Sequence, residues 1–120
     1  MKVEIIFMAI VLTIAGKLHQ GENVKLSIDD QYKNGQHIAL AKVENMTAKT
    51  LQGTFVFELN KTGANTSSTR QSGDFVLKAY EEKMLSRSSV NLNARDSAHC
   101  KLVVKINDKR HEIEKVLKKD

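Results

Sequence analysis

Ser97 to Ile106 reads SAHCKLVVKI. Ala98, Cys100, Leu102, Val104 and Ile106 take every second position, with His99, Lys101, Val103 and Lys105 between them. Successive side chains of an extended chain point to opposite faces, so this alternation describes a strand with one face in a core and one in solvent. It places the chain's single cysteine among aliphatic residues, where a free thiol packs as a small hydrophobe. His99 and Cys100, as neighbours in a strand, point apart and make no catalytic pair.

The same two-residue period extends outward in both directions. Leu51, Gly53, Phe55, Phe57 and Leu59 share one face, and Gln52, Thr54, Val56 and Glu58 the other. Val24, Leu26 and Ile28 alternate with Lys25, Ser27 and Asp29. Asn34-Gly35 between two strand patterns signals a two-residue hairpin, since both residue types accept positive φ. Ile38 to Glu44 is a second strand whose apolar phase slips at Leu40-Ala41, as at a bulge or in a strand that enters the core on both faces. Lys61 to Arg70 (KTGANTSSTR) is expected to be a flexible polar loop, with Phe75 and Leu77 marking a fourth strand and Phe75 in the core. Lys83 to Leu92 holds a fifth, anchored by Leu85, Val90 and Leu92. Asn107-Asp108 makes a second tight turn. Lys109 to Leu117 is a seventh strand, although Ile113, Val116 and Leu117 would also line one side of a helix. Seven short strands with turns about every ten residues predict an all-β, antiparallel, immunoglobulin-like β-sandwich. The Cys…Trp…Cys hallmark of antibody domains is missing: there is no Trp and only Cys100.

The N-terminal residues stand apart from this pattern. Lys2 precedes a nearly unbroken apolar run from Ile5 to Ile14, followed by the small residues Ala15 and Gly16. Residues 1–15 read as a secretory signal peptide, with cleavage after Ala15 or Gly16, and residues 16–120 as one β-sandwich domain. The run is too short for a membrane-spanning helix, which needs about 20 apolar residues. The alternative reading is a buried N-terminal strand or helix.

Several function classes are excluded or weakened. The 120 residues carry a net charge of +5, but the lysines are scattered and no aromatic residues interleave with them, which is not a nucleic-acid signature. One cysteine forms no internal disulfide, redox pair or structural zinc site. The four histidines, His19, His37, His99 and His111, are far apart; the spacing lets His99 and His111 face each other across the last hairpin, but two ligands make a poor metal site. The acidic pairs Asp29-Asp30 and Glu81-Glu82 lie at strand ends, and no glycine-rich phosphate cradle precedes a helix. No enzyme, cofactor or metal is therefore expected. Asn45, Asn60 and Asn65 begin Asn-x-Ser/Thr sequons, which matter only in a eukaryotic secretory pathway.

Lys61-Thr62-Gly63, the Ser/Thr-rich stretch with Ser67-Ser68, and Gln71-Ser72-Gly73-Asp74-Phe75 together resemble the loop and strand entry of the CsgC/CsgH family of curli-assembly proteins. The strand TLQGTFVFELNKTG and the late strand CKLVVKIND fit the family's order, and the likeness runs from about Val24 to Ile113. The absence of a Cys-x-Cys pair favours the CsgH branch. The resemblance implies a small immunoglobulin-like periplasmic protein that keeps curli subunits from forming amyloid, acting as a monomeric chaperone-like inhibitor. His99, Lys101, Val103 and Lys105 form an outward row. With Lys109, Arg110 and Lys115 they are expected to make a basic stripe suited to an acidic client, with Lys101, Lys105, Lys109 and Arg110 as its contact residues. The competing class is a secreted structural or adhesive module of the pilus-subunit kind.

Overall fold

A computed structural model describes residues 23–118. Within them the chain forms seven strands: β1 (Val24–Lys33), β2 (Gln36–Asn45), β3 (Leu51–Thr62), β4 (Ser67–Leu77), β5 (Glu82–Val90), β6 (Ser97–Ile106) and β7 (Lys109–Lys118). The expected signal peptide lies outside the described residues. One sheet has the order β1-β2-β5 and the other β4-β3-β6-β7, with every pairing antiparallel. The all-β sandwich is as expected. In the constant-type immunoglobulin arrangement the fourth strand pairs within the first sheet; here β4 instead extends the sheet of β3.

The two tight hairpins follow from their turn residues. Asn34 and Gly35 take φ of 53° and 80°, and Asn107 and Asp108 take 51° and 66°. Positive φ at both central residues matches the twist of the flanking strands. The expected bulge is not in β2, which pairs with β1 without a break; the register shift at Ala41/Lys42 comes from β5, where Leu85 is the extra residue. The last segment is a strand rather than a helix, so Leu117 is buried while Val116 turns outward and is 52% exposed.

The polar stretch after β3 departs from expectation. Lys61 and Thr62 still belong to β3, and Ser67 to Arg70 already belong to β4, so the loop shrinks to the turn Gly63–Thr66. Lys61 pairs with Ser67 and Glu58 with Arg70, extending the ladder beyond the core. Ser and Thr tolerate a solvated edge strand, and backbone pairing with β3 supplies what hydrophobic burial does not. Where β4 enters the core, Phe75 and Leu77 are buried, as the sequence led one to expect.

The core lies between the sheets. Val24, Val43, Phe57, Leu77, Leu102 and Val104 are fully buried at its centre. Cys100 is buried with them, and burial above all, with a smaller push from the charge of Asp30, raises its thiol pKa to about 11. A thiol so far above neutral pH stays protonated and unreactive.

Candidate functional site

The residues of the family-like motif have structural roles. Asp96, 3% exposed, lies between β5 and β6 and accepts hydrogen bonds from the backbone N–H of Asn93 (2.9 Å) and Ala64 (3.0 Å). Lys61 Nζ stands 3.6 Å from Oδ2, the oxygen that Asn93 N–H also reaches, while Ala64 N–H donates to Oδ1. The hydrogen bonds from Asn93 and Ala64, aided by the Lys61 charge and opposed by burial, hold the Asp96 carboxyl below its ordinary value. Gly63 has φ +136°, and a Cβ there would collide with Asp96 Oδ1 and lie 2.8 Å from its Cα. Lys61 and Gly63 therefore latch the β3–β4 turn onto the turn before β6.

Gln71 bridges the sheets at the β4/β5 edge. Its Oε1 accepts from the Ser86 hydroxyl, and its Nε2 donates at longer range to Ser88 Oγ (3.4 Å). Gly53 pairs with Phe75, and Gly73 with Phe55. An added Cβ on Gly73 would meet the Phe55 ring at 3.2 Å, so the missing side chain leaves room for the ring. The Phe55 ring thus covers Gly73, a packing that restores buried area the glycine lacks, whereas a Cβ on Gly53 would run into the Lys105 carbonyl and the Ile106 side chain of β6. Ser72 faces outward, opposite Val56.

Asn45 forms a second latch. Its side-chain amide donates to the carbonyls of Lys49 (2.7 Å) and Lys78 (2.9 Å), and its Oδ1 accepts from Thr47 N (2.9 Å) and Thr47 Oγ1 (2.7 Å). Asn45 is fully buried, so this sequon is an internal turn motif in the folded protein.

The outer face of the four-stranded sheet carries the charge. Lys101, Val103 and Lys105 project from β6, and Arg110 from β7 opposite Lys105, as expected of the stripe. Lys109 and Lys115 are corrections: they pair with Ile106 and Cys100, and strand alternation puts them on the other face from Arg110. The stripe is also not purely basic. Glu112 lies 2.9 Å from Arg110 and 3.4 Å from Lys101, and Glu58 lies 3.8 Å from Arg70. Partial burial pushes the Glu112 carboxyl up, but hydrogen bonds from Arg110 and Lys101 outweigh it and hold it below its ordinary value. His99 and His111 do not meet. His99 pairs with Val116 and reaches Glu114 at 2.9 Å, whereas His111 is buried opposite Val104. Among the described residues no cluster of three or more His, Cys, Asp or Glu side chains is placed to hold a metal.

Val56, Glu58, Arg70, Lys101, Val103, Lys105 and Arg110 surround an open concavity of about 240 Å³. The contributions of β3 and β4 to it were not anticipated. Arg70 is aligned with Glu58 only because the Ser/Thr-rich stretch is a strand, and that pairing carries no strong local signal in the sequence.

Among solved structures, R. palustris CsgH in solution aligns with a TM-score of 0.59 at 17% identity, over 79% of this chain and 91% of that one. The E. coli curli protein CsgC aligns with a TM-score of 0.62 at 14% identity, over 76% of this chain and 96% of that one. No protein-family model and no curated protein matches the sequence. At such identities the likeness is one of fold: this chain has the β-sandwich of CsgH and CsgC.

Proposed function

We propose that this chain is a periplasmic, non-enzymatic inhibitor of amyloid formation by a curli subunit. The observation that carries the reading is the near-complete coverage of CsgH and CsgC by the same fold, 91% and 96% of their lengths. The surface chemistry agrees with it. Cross-β growth adds strands to exposed edges, so an inhibitor must meet its client without offering a template. The edge strands here are β1 and β5 in one sheet and β4 and β7 in the other. The exposed stretch of β4 is Ser67–Ser72, wholly polar with Arg70 in it; β7 carries Lys109, Arg110, Lys115 and Lys118; β5 is bulged against β2. Charge, polar side chains and bulges are the devices that discourage edge-to-edge pairing. On the outer face Lys105, which has no carboxylate within 4.0 Å among the described residues, supplies attraction to an acidic client.

The test is a fibrillation assay with a purified curli subunit and a low molar ratio of residues 16–120. A lengthened lag phase is expected. An unchanged lag, with the protein instead incorporated into the fibre, would replace this reading with that of an adhesive or structural module. Donor-strand pilins of that class lack a strand and expose a groove, and the sandwich here has all seven strands.

A further inference from the structure

Positive φ is confined, among the described residues other than glycine, to Asn34, Asn107, Asp108 and Tyr80. The first three are residue types that enter the left-handed region readily, and they sit in the two tight hairpins. Tyr80 is of another kind. It takes φ 56° in the turn Lys78–Glu81, which the Glu81 N–H closes by donating to the Lys78 carbonyl at 3.1 Å. Ala79 keeps a negative φ, so this is a type II turn, and its third position is the one that calls for glycine. A bulky side chain there costs stability. Packing does not offset the cost, because Tyr80 is 64% exposed.

The backbone around Tyr80 is nevertheless held on several sides. Tyr80 N–H donates to the Thr47 carbonyl (3.1 Å), Asn45 N–H to the Glu81 carbonyl (2.8 Å), and Lys78 N–H to the Glu81 carboxylate (2.8 Å). The buried Asn45 amide ties the Lys49 and Lys78 carbonyls together. Met46, between Asn45 and Thr47, is 43% exposed. Two large exposed side chains therefore stem from adjacent, firmly bonded backbone at one end of the sandwich.

We infer that Tyr80, with Met46, is a contact site for an aromatic side chain of an extended or unfolded client chain. A strained turn that presents a ring to solvent is accounted for by what the ring touches outside the fold. A thioether and a phenol ring suit an aromatic guest, through sulfur–ring and ring–ring contacts. One Tyr and one Met are too small a surface for a second copy of this chain, since a stable pair buries about 800 Å² on each partner. Charge does not select an anionic lipid surface either: Lys49, Lys78 and Lys83 at this end are matched by Glu44, Glu81 and Glu82. Cross-β fibres stack aromatic side chains, so a ring held at Tyr80 is kept from that stack. The inference rests on the proposed function and adds to it a contact that salt does not screen.

The probe is the capped peptide Gly-Ser-Phe-Ser-Gly, titrated into isotope-labelled protein and followed by chemical shifts. Ring-current shifts are expected at the Met46 methyl and the Tyr80 ring, and Gly-Ser-Leu-Ser-Gly should bind about threefold or more weakly. Tyr80→Gly and Tyr80→Asn both relieve the turn and remove the ring. Each should raise the urea midpoint, weaken the Phe peptide about threefold or more, and shorten the lag that the protein imposes on curli-subunit fibrillation, equally at low and high salt. Tyr80→Phe should behave as wild type. A lowered midpoint for Tyr80→Gly would show that the ring packs within the fold and overturn the inference. Binding through Tyr80 to vesicles of phosphatidylglycerol and phosphatidylethanolamine, with no preference for the Phe peptide, would overturn it in favour of a membrane contact. If wild type and Tyr80→Gly delay fibrillation equally, the inference falls and the proposed function stands. If the Phe peptide binds at Tyr80 but wild type causes no delay, the site stands and the proposed function falls.

Discussion

Replacing Gly63 with alanine tests the reading of the motif as a structural latch. The residue sits at φ +136°, a region that side chains rarely enter, and its Cβ would overlap the Asp96 carboxylate and lie 2.8 Å from the Asp96 Cα. Two costs follow. The backbone strain is about 1–3 kcal/mol. Displacing the carboxylate also breaks its hydrogen bond from Ala64 N, now 3.0 Å, and loosens Lys61; a hydrogen bond to a charged group contributes about 1.5–3 kcal/mol. Gly63→Ala should therefore lower unfolding stability by about 3–5 kcal/mol, a large share of the 5–15 kcal/mol typical of a domain. Urea denaturation with residues 16–120 measures this as a fall in midpoint at constant slope. The carboxylate part is separated by a double-mutant cycle with Asp96→Ala. Once the carboxylate is gone, Gly63→Ala should cost at least about 1.5 kcal/mol less than in the wild type. A total loss below about 1 kcal/mol, or additive effects in the cycle, would refute the latch.

Other expectations can be checked alongside it. The Asp96 carboxyl is held below its ordinary value, so its contribution is present above the unfolded value of about 3.9 and is lost as pH falls through the lower folded one; the melting temperature should drop below about pH 4, and Asp96→Asn should flatten that part of the profile. Phe75→Ala, at a core site 5% exposed, should cost about 3–5 kcal/mol in the same denaturation assay. A Lys101→Glu/Lys105→Glu variant should inhibit curli-subunit fibrillation less than wild type at low salt and converge with it at high salt. Reducing agent should leave the melting temperature of the protein unchanged, because Cys100 is a buried free thiol.

Elements with a local signature were legible in the sequence. The period-two run through Cys100 is buried residue for residue, and both two-residue turns have the positive φ that Asn-Gly and Asn-Asp suggested. The β3–β4 hairpin was not so plain. Ser67 to Arg70 have no apolar alternation, and their strand state depends on pairing with Asn60, Lys61 and their neighbours. A clue was present in the repeated Gly-x-Phe of Gly53-Thr54-Phe55 and Gly73-Asp74-Phe75. Antiparallel pairing of two such triplets sets each glycine against the other's phenylalanine, and that register, followed outward, meets at the turn of Gly63 to Thr66. The stripe was read correctly along β6 and wrongly on β7, where the expectation grouped basic residues by nearness in sequence. Register divides them: Arg110 goes out with Lys105, while Lys109 and Lys115 share the phase of Ile106 and Cys100.

These findings change what the motif can say about function. Lys61 and Gly63 serve the Asp96 latch, Gln71 ties the sheet edges, Gly73 makes room for the Phe55 ring, and Phe75 lies in the core. Residues so occupied specify how β3 and β4 are joined and closed against β5 and β6, and a chain that shares them shares a fold. On the proposed function, client recognition falls to side chains the fold leaves unspent, and on the outer face these include Lys105, Val56 and Val103. Substitutions there change the surface while leaving the latches intact. A variant that folds like wild type but no longer delays fibrillation would therefore be expected from this face and not from Lys61 to Phe75, where loss of inhibition and loss of stability should go together.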